Sequence, residues 1–177
     1  MQAQLVLDEL SKNLVTHVVG LPDNSSAALF SLLNSRKEPR LLTVTREGEA
    51  FAIAAGLWVG GKKPIVLVQN TGFLESGDGL RGTAIRMRIP LVCLVTYRGY
   101  SAVAKAGLPP VRESVSAELL SRPELDSVAL LTEPTLRAWG LPYDFLFESQ
   151  DRISAAFSQA KALSQPVVLL IPQDLTE

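Results

Sequence analysis

Short apolar runs recur along the chain, and the intervals between them carry helical patterns. The six runs are Thr16–Val19, Arg40–Val44, Pro64–Val68, Pro90–Val95, Tyr143–Phe147 and Val167–Ile171, and the first four start 24, 24 and 26 residues apart. The first four are rich in Val, Leu and Ile without strict alternation, which is typical of parallel strands buried on both faces. Strand–helix repeats of this length form right-handed crossovers. The pattern predicts one α/β domain over residues 1–177. Its three layers are α/β/α, with a six-stranded parallel sheet between two layers of helices.

Helical patterns fill most of the intervals. The predicted helices are Asn24–Leu33, Glu47–Val59, Gly72–Met87, Val115–Leu120, Gln150–Leu163 and one that ends within Leu136–Gly140. Residues Arg122–Pro134 are ambiguous and leave a further short helix open. The segment Arg98–Val111 contains Gly and Pro and few large apolar side chains. It is predicted to be a long loop, a feature that is often functional in compact domains.

Ligands of parallel α/β sheets bind at the carboxyl ends of the strands. Four turns of this chain follow predicted strands, and all four carry polar groups: Gly20–Asn24, Thr45–Glu49, Gln69–Gly72 and Thr96–Gly99. The architecture therefore predicts that the functional site lies at this edge of the sheet, without naming a ligand.

Composition excludes several classes of function. The chain has 17 basic and 18 acidic residues and a net charge of −1, so nucleic acid and anionic membrane surfaces are not expected partners. The apolar run Ala50–Gly61 is too short to span a bilayer, and the first residues do not resemble a signal peptide. One cysteine, Cys93, and one histidine, His17, permit neither an internal disulfide nor a Cys/His zinc site. We expect a cytoplasmic protein in which Cys93 lies in the core and His17 lies at a strand edge or contacts a helix.

Three of the four turns together resemble the pyrimidine-binding domain of thiamine-diphosphate enzymes. The motifs are Gly20-Leu21-Pro22-Asp23, Thr45-Arg46-Glu47-Gly48-Glu49-Ala50 with Ala54-Ala55-Gly56, and Gln69-Asn70-Thr71-Gly72, followed by Ile89-Pro90, Tyr97-Arg98-Gly99 and Gly140-Leu141-Pro142-Tyr143. In this order they are similar to sulfopyruvate decarboxylase alpha subunits and to the N-terminal domain of phosphonopyruvate decarboxylases. The resemblance implies thiamine diphosphate as cofactor and an anionic 2-oxoacid, similar to sulfopyruvate or phosphonopyruvate, as the substrate of a decarboxylase.

The resemblance also implies roles for single residues. Glu47 would be catalytic, because in this family a glutamate at the start of this helix hydrogen-bonds N1′ of the aminopyrimidine and favours its imino tautomer. Pro22, Asn70 and Gly72 would line the cofactor. Asp23 and Arg98 are candidate substrate residues, and the alternative for Asp23 is a helix cap.

Glu49 is the local competitor of Glu47. Two residues further along the helix, it is expected on another face.

Gly77-Asp78-Gly79 resembles the start of the family's magnesium–diphosphate motif, but no asparagine follows Asn70 anywhere in the chain. We therefore interpret it as chance and predict no metal site. The resemblance then implies an alpha subunit, active only with a complementary beta subunit that holds Mg²⁺ and the diphosphate.

Small residues within Glu47–Val59 suggest homo-association of alpha chains, or tight packing within one chain. No histidine occurs in Ser101–Val111, where these relatives usually carry one. This leaves open a different thiamine-diphosphate reaction, or a non-catalytic protein that assembles or regulates a partner.

Overall fold

A six-stranded sheet forms the centre of the computed structural model, which describes residues 1–108, 115–147, 149 and 151–177. The strands are β1 (His17–Gly20), β2 (Arg40–Thr43), β3 (Pro64–Gln69), β4 (Val92–Thr96), β5 (Tyr143–Phe145) and β6 (Val167–Ile171). They are ordered β2-β1-β3-β4-β6-β5, and every pair is parallel. The parallel six-stranded sheet predicted from the sequence is thus confirmed.

Helices cover both faces of the sheet. They are α1 (Ala3–Lys12), α2 (Ala27–Asn34), α3 (Glu47–Val59), α4 (Asn70–Glu75), α5 (Gly77–Gly79), a π-helix (Leu80–Ile85), α6 (Tyr100–Lys105), α7 (Ala117–Leu120), α8 (Ser127–Ala138) and α9 (Asp151–Leu163). Within the described ranges, no helix has the length and apolar character needed to cross a membrane.

Alternate residues of the strands feed two separate cores. Val18 and Ile65 pack with the apolar faces of α1, α2 and α9. Val19 and Val66 point the other way and pack with α3, α4, the π-helix and α8. Cys93 lies in this second core, as predicted, and burial raises the pKa of its thiol.

The outer strands differ from the sequence prediction. Arg40 and Thr43 are exposed because β2 lies at the edge of the sheet, so this strand is not buried on both faces. β5 is the other edge strand and ends at Phe145, two residues before the predicted end. Edge position depends on strand order, which local sequence patterns do not reveal.

Several helices also differ from the prediction. Helix α1 was not predicted from the sequence, although Val6, Leu7 and Leu10 form its buried stripe. The predicted loop Arg98–Val111 contains α6, and its residues from 109 onward lie outside the described part of the chain.

The predicted helix Gly72–Met87 is divided into α4, α5 and the π-helix, and it begins two residues earlier, at Asn70. Gly77 and Gly79 lie at the division, since glycine has low helix propensity. The ambiguous segment Arg122–Pro134 belongs mostly to α8, which continues through Pro134.

Candidate functional site

The loop after β1 lies at the carboxyl edge, between the ends of β2 and β3. Its backbone is tied to both neighbours, because Leu21 N–H donates to Leu67 O at 3.3 Å and Val44 N–H donates to Gly20 O at 3.0 Å. A Cβ at Gly20 would lie 1.9 Å from Leu67 O, so only glycine permits this close approach. Pro22 follows in this loop with an exposed ring, at the edge where the sequence predicted it.

Glu47 is the first residue of α3 and lies against the first turn of α4. Its side chain is half-buried and crosses Gly72, where an added Cβ would lie 2.1 Å from Glu47 Oε1 and 2.2 Å from Cδ. Gly72 therefore provides the space that the carboxylate occupies. Across the described ranges, no group donates a hydrogen bond to the Glu47 carboxylate, which leaves its oxygens available to a ligand.

Glu49 is committed to the start of its own helix. Its carboxylate accepts the backbone N–H of Thr45 at 3.1 Å, the Thr45 hydroxyl at 3.1 Å and the backbone N–H of Arg46 at 3.4 Å. These bonds, the one from Thr45 N–H first, lower the pKa of Glu49. The competitor considered in the sequence analysis is thus a capping residue, and Glu47 is the uncommitted acid of the pair.

Asn70 is fully buried at the first position of α4. Its Nδ2 donates to the carbonyl of Arg98 and to the hydroxyl of Thr132, both at 3.1 Å. A carbonyl can only accept, and the Thr132 hydroxyl donates its proton to Val128 O at 2.8 Å. Both partners must therefore face the NH₂ group of Asn70, which fixes the orientation of its side-chain amide. Oδ1 of Asn70 is consequently a buried acceptor without a partner. An orphaned acceptor is costly unless a donor reaches it, which suggests a ligand or a water molecule there.

Asp23 lies in the loop after β1 and is occupied by local hydrogen bonds. Its carboxylate accepts the backbone N–H of Ser25 at 2.8 Å and the Ser26 hydroxyl at 2.7 Å. It also accepts the hydroxyl of Thr96 at 3.0 Å, which joins the ends of β1 and β4. These contacts brace the turn that leads into α2, whose cap position is Ser26, so Asp23 is not the helix cap that the sequence offered as an alternative.

Arg98 follows β4 at the same edge, and its side chain is 60% exposed. Nε of Arg98 pairs with Asp126 at 2.8 Å, so the guanidinium is already partly compensated. The next residue, Gly99, has φ +82°, and a Cβ there would lie 2.6 Å from Cβ of Asp126. Arg98 lines a cavity of about 350 Å³ whose other polar walls include Gln69 and Ser101.

Gly77-Asp78-Gly79 has a packing role that accounts for its glycines. A Cβ at Gly79 would lie 2.8 Å from the carbonyl of Gly48 in α3, and one at Gly77 would lie 3.1 Å from the Trp139 ring. Asp78 is exposed and pairs with Arg81. Within the described ranges, no group of three or more His, Cys, Asp or Glu side chains could hold a metal ion.

The buried polar residues of α8 and their hydrogen-bond partners were not predicted from the sequence. Glu133 is buried in α8 and accepts the hydroxyls of Tyr143 at 2.9 Å and Tyr97 at 3.3 Å. Burial first, and then the Glu133 carboxylate, raise the pKa of Tyr143. The one signal in the sequence was a polar residue, Thr132 or Glu133, within the apolar stripe of an ambiguous helix.

Comparison with known proteins identifies the family. Residues 2–117 match the N-terminal thiamine-pyrophosphate-binding domain of thiamine pyrophosphate enzymes, which is more than half of the chain. The chain belongs to this family.

Similar proteins agree with the family assignment. A phosphonopyruvate decarboxylase of Streptomyces viridochromogenes is 29% identical over 163 residues, which are 90% of this chain and 37% of that protein. A sulfopyruvate decarboxylase subunit alpha of Methanococcus maripaludis is 24% identical over 161 residues, which are 89% of this chain and 86% of the subunit. The chain thus spans little more than a third of the first of these relatives. The structure of benzoylformate decarboxylase from Polynucleobacter necessarius matches all of this chain and 32% of its own, with TM-score 0.62 and 22% identity, and this supports the fold.

The carboxyl edge fits the aminopyrimidine end of thiamine diphosphate. The exocyclic amine of an aminopyrimidine donates hydrogen bonds and therefore needs an acceptor. A ring nitrogen needs a partner that can share a proton with it. Glu47 supplies an uncommitted carboxylate, and Asn70 supplies a buried acceptor without a donor. Glycine at position 72 lets the carboxylate lie flat against the backbone of α4. The residues predicted from the resemblance to line the cofactor therefore lie on adjacent turns, with Pro22 on the loop between them.

Proposed function

We propose that the chain is the alpha subunit of a thiamine-diphosphate-dependent 2-oxoacid decarboxylase. In this proposal it binds the aminopyrimidine half of the cofactor and supplies Glu47 as the activating acid. The observation that carries the proposal is the contrast between two glutamates on one helix turn. Glu49 accepts hydrogen bonds as a helix cap, whereas the Glu47 carboxylate accepts none from the described residues and lies at the edge where the resemblance puts the cofactor. A cytoplasmic location stays a prediction.

The role of Glu47 follows from its position. The bound cofactor supplies a carbon nucleophile and an electron sink for the departing carboxylate. Glu47 would hold a proton between its carboxylate and N1′ of the aminopyrimidine, which controls the tautomer of the ring. Asn70 would hold the start of α4 beside the cofactor through its bonds to Arg98 O and Thr132, and the exposed ring of Pro22 would lie against the cofactor.

A partner subunit would complete the site. The relative from Methanococcus maripaludis is named as a subunit alpha, and this chain spans 86% of its length. We infer that a complementary beta subunit binds Mg²⁺ and the diphosphate. The exposed face of α3 carries Ala52, Ile53, Gly56 and Val59, beside the helix start that presents Glu47. This apolar face supports contact between alpha chains close to the cofactor.

The substrate would be an anionic 2-oxoacid similar to phosphonopyruvate or sulfopyruvate. Arg98 is the candidate ligand for its second anionic group, since four guanidinium N–H donors remain beside the bond to Asp126. Asp23 contributes by holding the loop after β1 to Thr96 and α2, so its part in substrate binding is indirect.

Glu47→Gln with Glu49→Gln as the matched control tests the assignment. Glutamine cannot ionise, so we expect Glu47→Gln to lower kcat of the assembled enzyme on phosphonopyruvate or sulfopyruvate by a hundredfold or more. Glu49→Gln keeps a side chain that can cap the helix and should change kcat by less than about threefold.

Circular dichroism and thermal denaturation should show both variants folded. Equal losses in the two variants, or no loss in Glu47→Gln, would contradict the role of Glu47. If the complex decarboxylates neither substrate but binds thiamine diphosphate, the non-catalytic alternative gains support.

A further inference from the structure

A second concave surface lies at the opposite edge of the sheet, where the strands begin. It is an open groove of about 940 Å³, which we call the amino-edge groove. Its lining includes four basic residues, Arg36, Lys37, Arg40 and Lys62, together with His17. None of these residues belongs to the site described above, and the groove has no part in the proposed decarboxylation.

Sheet topology adds His17 and Lys62 to the basic segment that contains Arg36, Lys37 and Arg40. In the ladders, His17 of β1 pairs with Arg40 of β2 on one side and with Pro64 of β3 on the other. The Thr16 N–H donates to Lys63 O at 2.9 Å, and the Arg40 N–H donates to Thr16 O at 2.9 Å, so the strand starts are held side by side. Strand order therefore adds Lys62, which precedes β3, to the cluster Arg36, Lys37 and Arg40 on the other side of His17.

The positive charges of the groove are not compensated. Arg98, Arg46 and other cations form ion pairs within the described ranges, but no such pair involves the four basic residues of the groove. Glu38 is the one acidic residue of the lining, and Arg36 donates to the neutral Gln4 at 3.0 Å. In a chain with net charge −1, four such cations around one concavity indicate a place for an anion.

Besides burial, the positive charges of the groove help to lower the pKa of its histidine, His17. Burial first, and then the charges of Arg40 and Lys62, lower the pKa of His17. The Thr16 hydroxyl accepts the Lys63 N–H and lies 2.9 Å from His17 Nδ1, which favours the proton on Nε2. His17 Nε2 is then a hydrogen-bond donor beside the cationic side chains.

The groove also has an apolar wall. Leu14, which is 77% exposed, and the half-buried Leu41 form it, whereas Val15 and Leu33 behind them are buried in the core. The exposed leucine leaves apolar surface in contact with water. Because cations and apolar groups share one concavity, the surface suits an anion that carries an apolar body.

We propose that the amino-edge groove binds a small organic polyphosphate of nucleotide size, with its phosphates on Arg40, Lys62 and His17 and its ring system on the leucine wall. The volume is within the range of small-molecule sites. Bidentate arginine contacts and lysine contacts are the usual way proteins hold phosphate.

The single histidine makes the proposal directly measurable. The test follows the His17 imidazole resonances of the full 177-residue chain by NMR while ATP, pyrophosphate or adenosine is added at constant ionic strength. We expect ATP to shift these resonances with saturation and to raise the pKa of His17, because its phosphates offset the neighbouring cations. Pyrophosphate should bind more weakly than ATP, and adenosine weaker still.

Lys62→Gln and the control Lys105→Gln identify the binding surface. Lys105 is an exposed lysine of α6, which follows the carboxyl end of β4 at the opposite edge of the sheet. We expect Lys62→Gln to weaken ATP binding by about tenfold, as for the loss of one charge contact, and Lys105→Gln to leave it unchanged. Equal weakening in both variants would show nonspecific attraction and overturn the proposal. A His17 resonance that ATP does not move, or pyrophosphate binding as tight as ATP, would also contradict it. Neither result bears on Glu47, so the proposed decarboxylase function is tested separately.

Discussion

Gly72→Ala should displace the Glu47 carboxylate without unfolding the protein. The new Cβ would lie 2.1 Å from Glu47 Oε1 and 2.3 Å from Cγ, where ordinary contact begins near 3.4 Å. The Glu47 side chain must therefore move by more than about 1 Å. A displacement of this size can cost about a hundredfold in rate when a reacting group is misplaced.

The same substitution should leave stability nearly unchanged or slightly raise it. Position 72 lies inside α4, and alanine is favoured over glycine in a helix by up to about 1 kcal/mol. Because Glu47 is half-buried and makes no described hydrogen bond, its side chain can rotate away at little cost. The expected signature is thus loss of activity with an unchanged or higher Tm.

Gly82→Ala is the matched control, since a Cβ at Gly82 would meet no atom within 4 Å. Both variants would be compared in the assembled enzyme for kcat, for thiamine diphosphate affinity and for Tm. If Gly72→Ala keeps full activity, the contact between positions 72 and 47 does not position the acid. A large drop in Tm would instead show that Glu47 cannot move and that the backbone of α4 shifts.

Three other outcomes can be measured on the chain by itself. Calorimetry should find weak thiamine diphosphate binding that Mg²⁺ improves little, because the described residues offer no cluster of metal ligands; tight Mg²⁺-dependent binding would point to a diphosphate site in this chain and first to Asp78. Cys93 should react with thiol reagents only as fast as the protein unfolds, since burial raises the pKa of its thiol; fast reaction in the native state would contradict its place in the core. The pKa of His17 is lower in the folded chain than in the unfolded chain, so the unfolded chain binds this proton more readily. The free energy of unfolding should therefore fall as the pH drops below the unfolded pKa near 6.5. That part of the pH dependence should be absent in His17→Gln, and an unchanged profile would show that the folded environment does not disfavour the charged imidazole.

Local patterns were sufficient to predict the sheet, and they placed the candidate site residues at the ends of its strands. Unbroken runs of Val and Leu, such as that of β6, are typical of buried parallel strands when they alternate with helical segments, and this allowed the strand cores to be predicted. The start of α3 at Glu47 was also predicted, since acids and glycine mark the first turn before an alanine-rich run. What failed depended on neighbours: α6 lies in a Gly- and Pro-containing segment, and α8 continues through Pro134 because packing outweighs its local propensity.

The sequence by itself determined the fold class, the family resemblance and the candidate acid. It could not decide between Glu47 and Glu49 from contacts, nor show that Asn70 has an unpaired acceptor, because hydrogen-bond partners come from elements far apart in the chain. The amino-edge groove is the clearest case, since Arg40 and Lys62 are 22 residues apart and line one groove on either side of His17 because β1 pairs with both β2 and β3. Backbone periodicity is a local property written in the sequence, whereas the pairing of charges and polar atoms is decided by strand order.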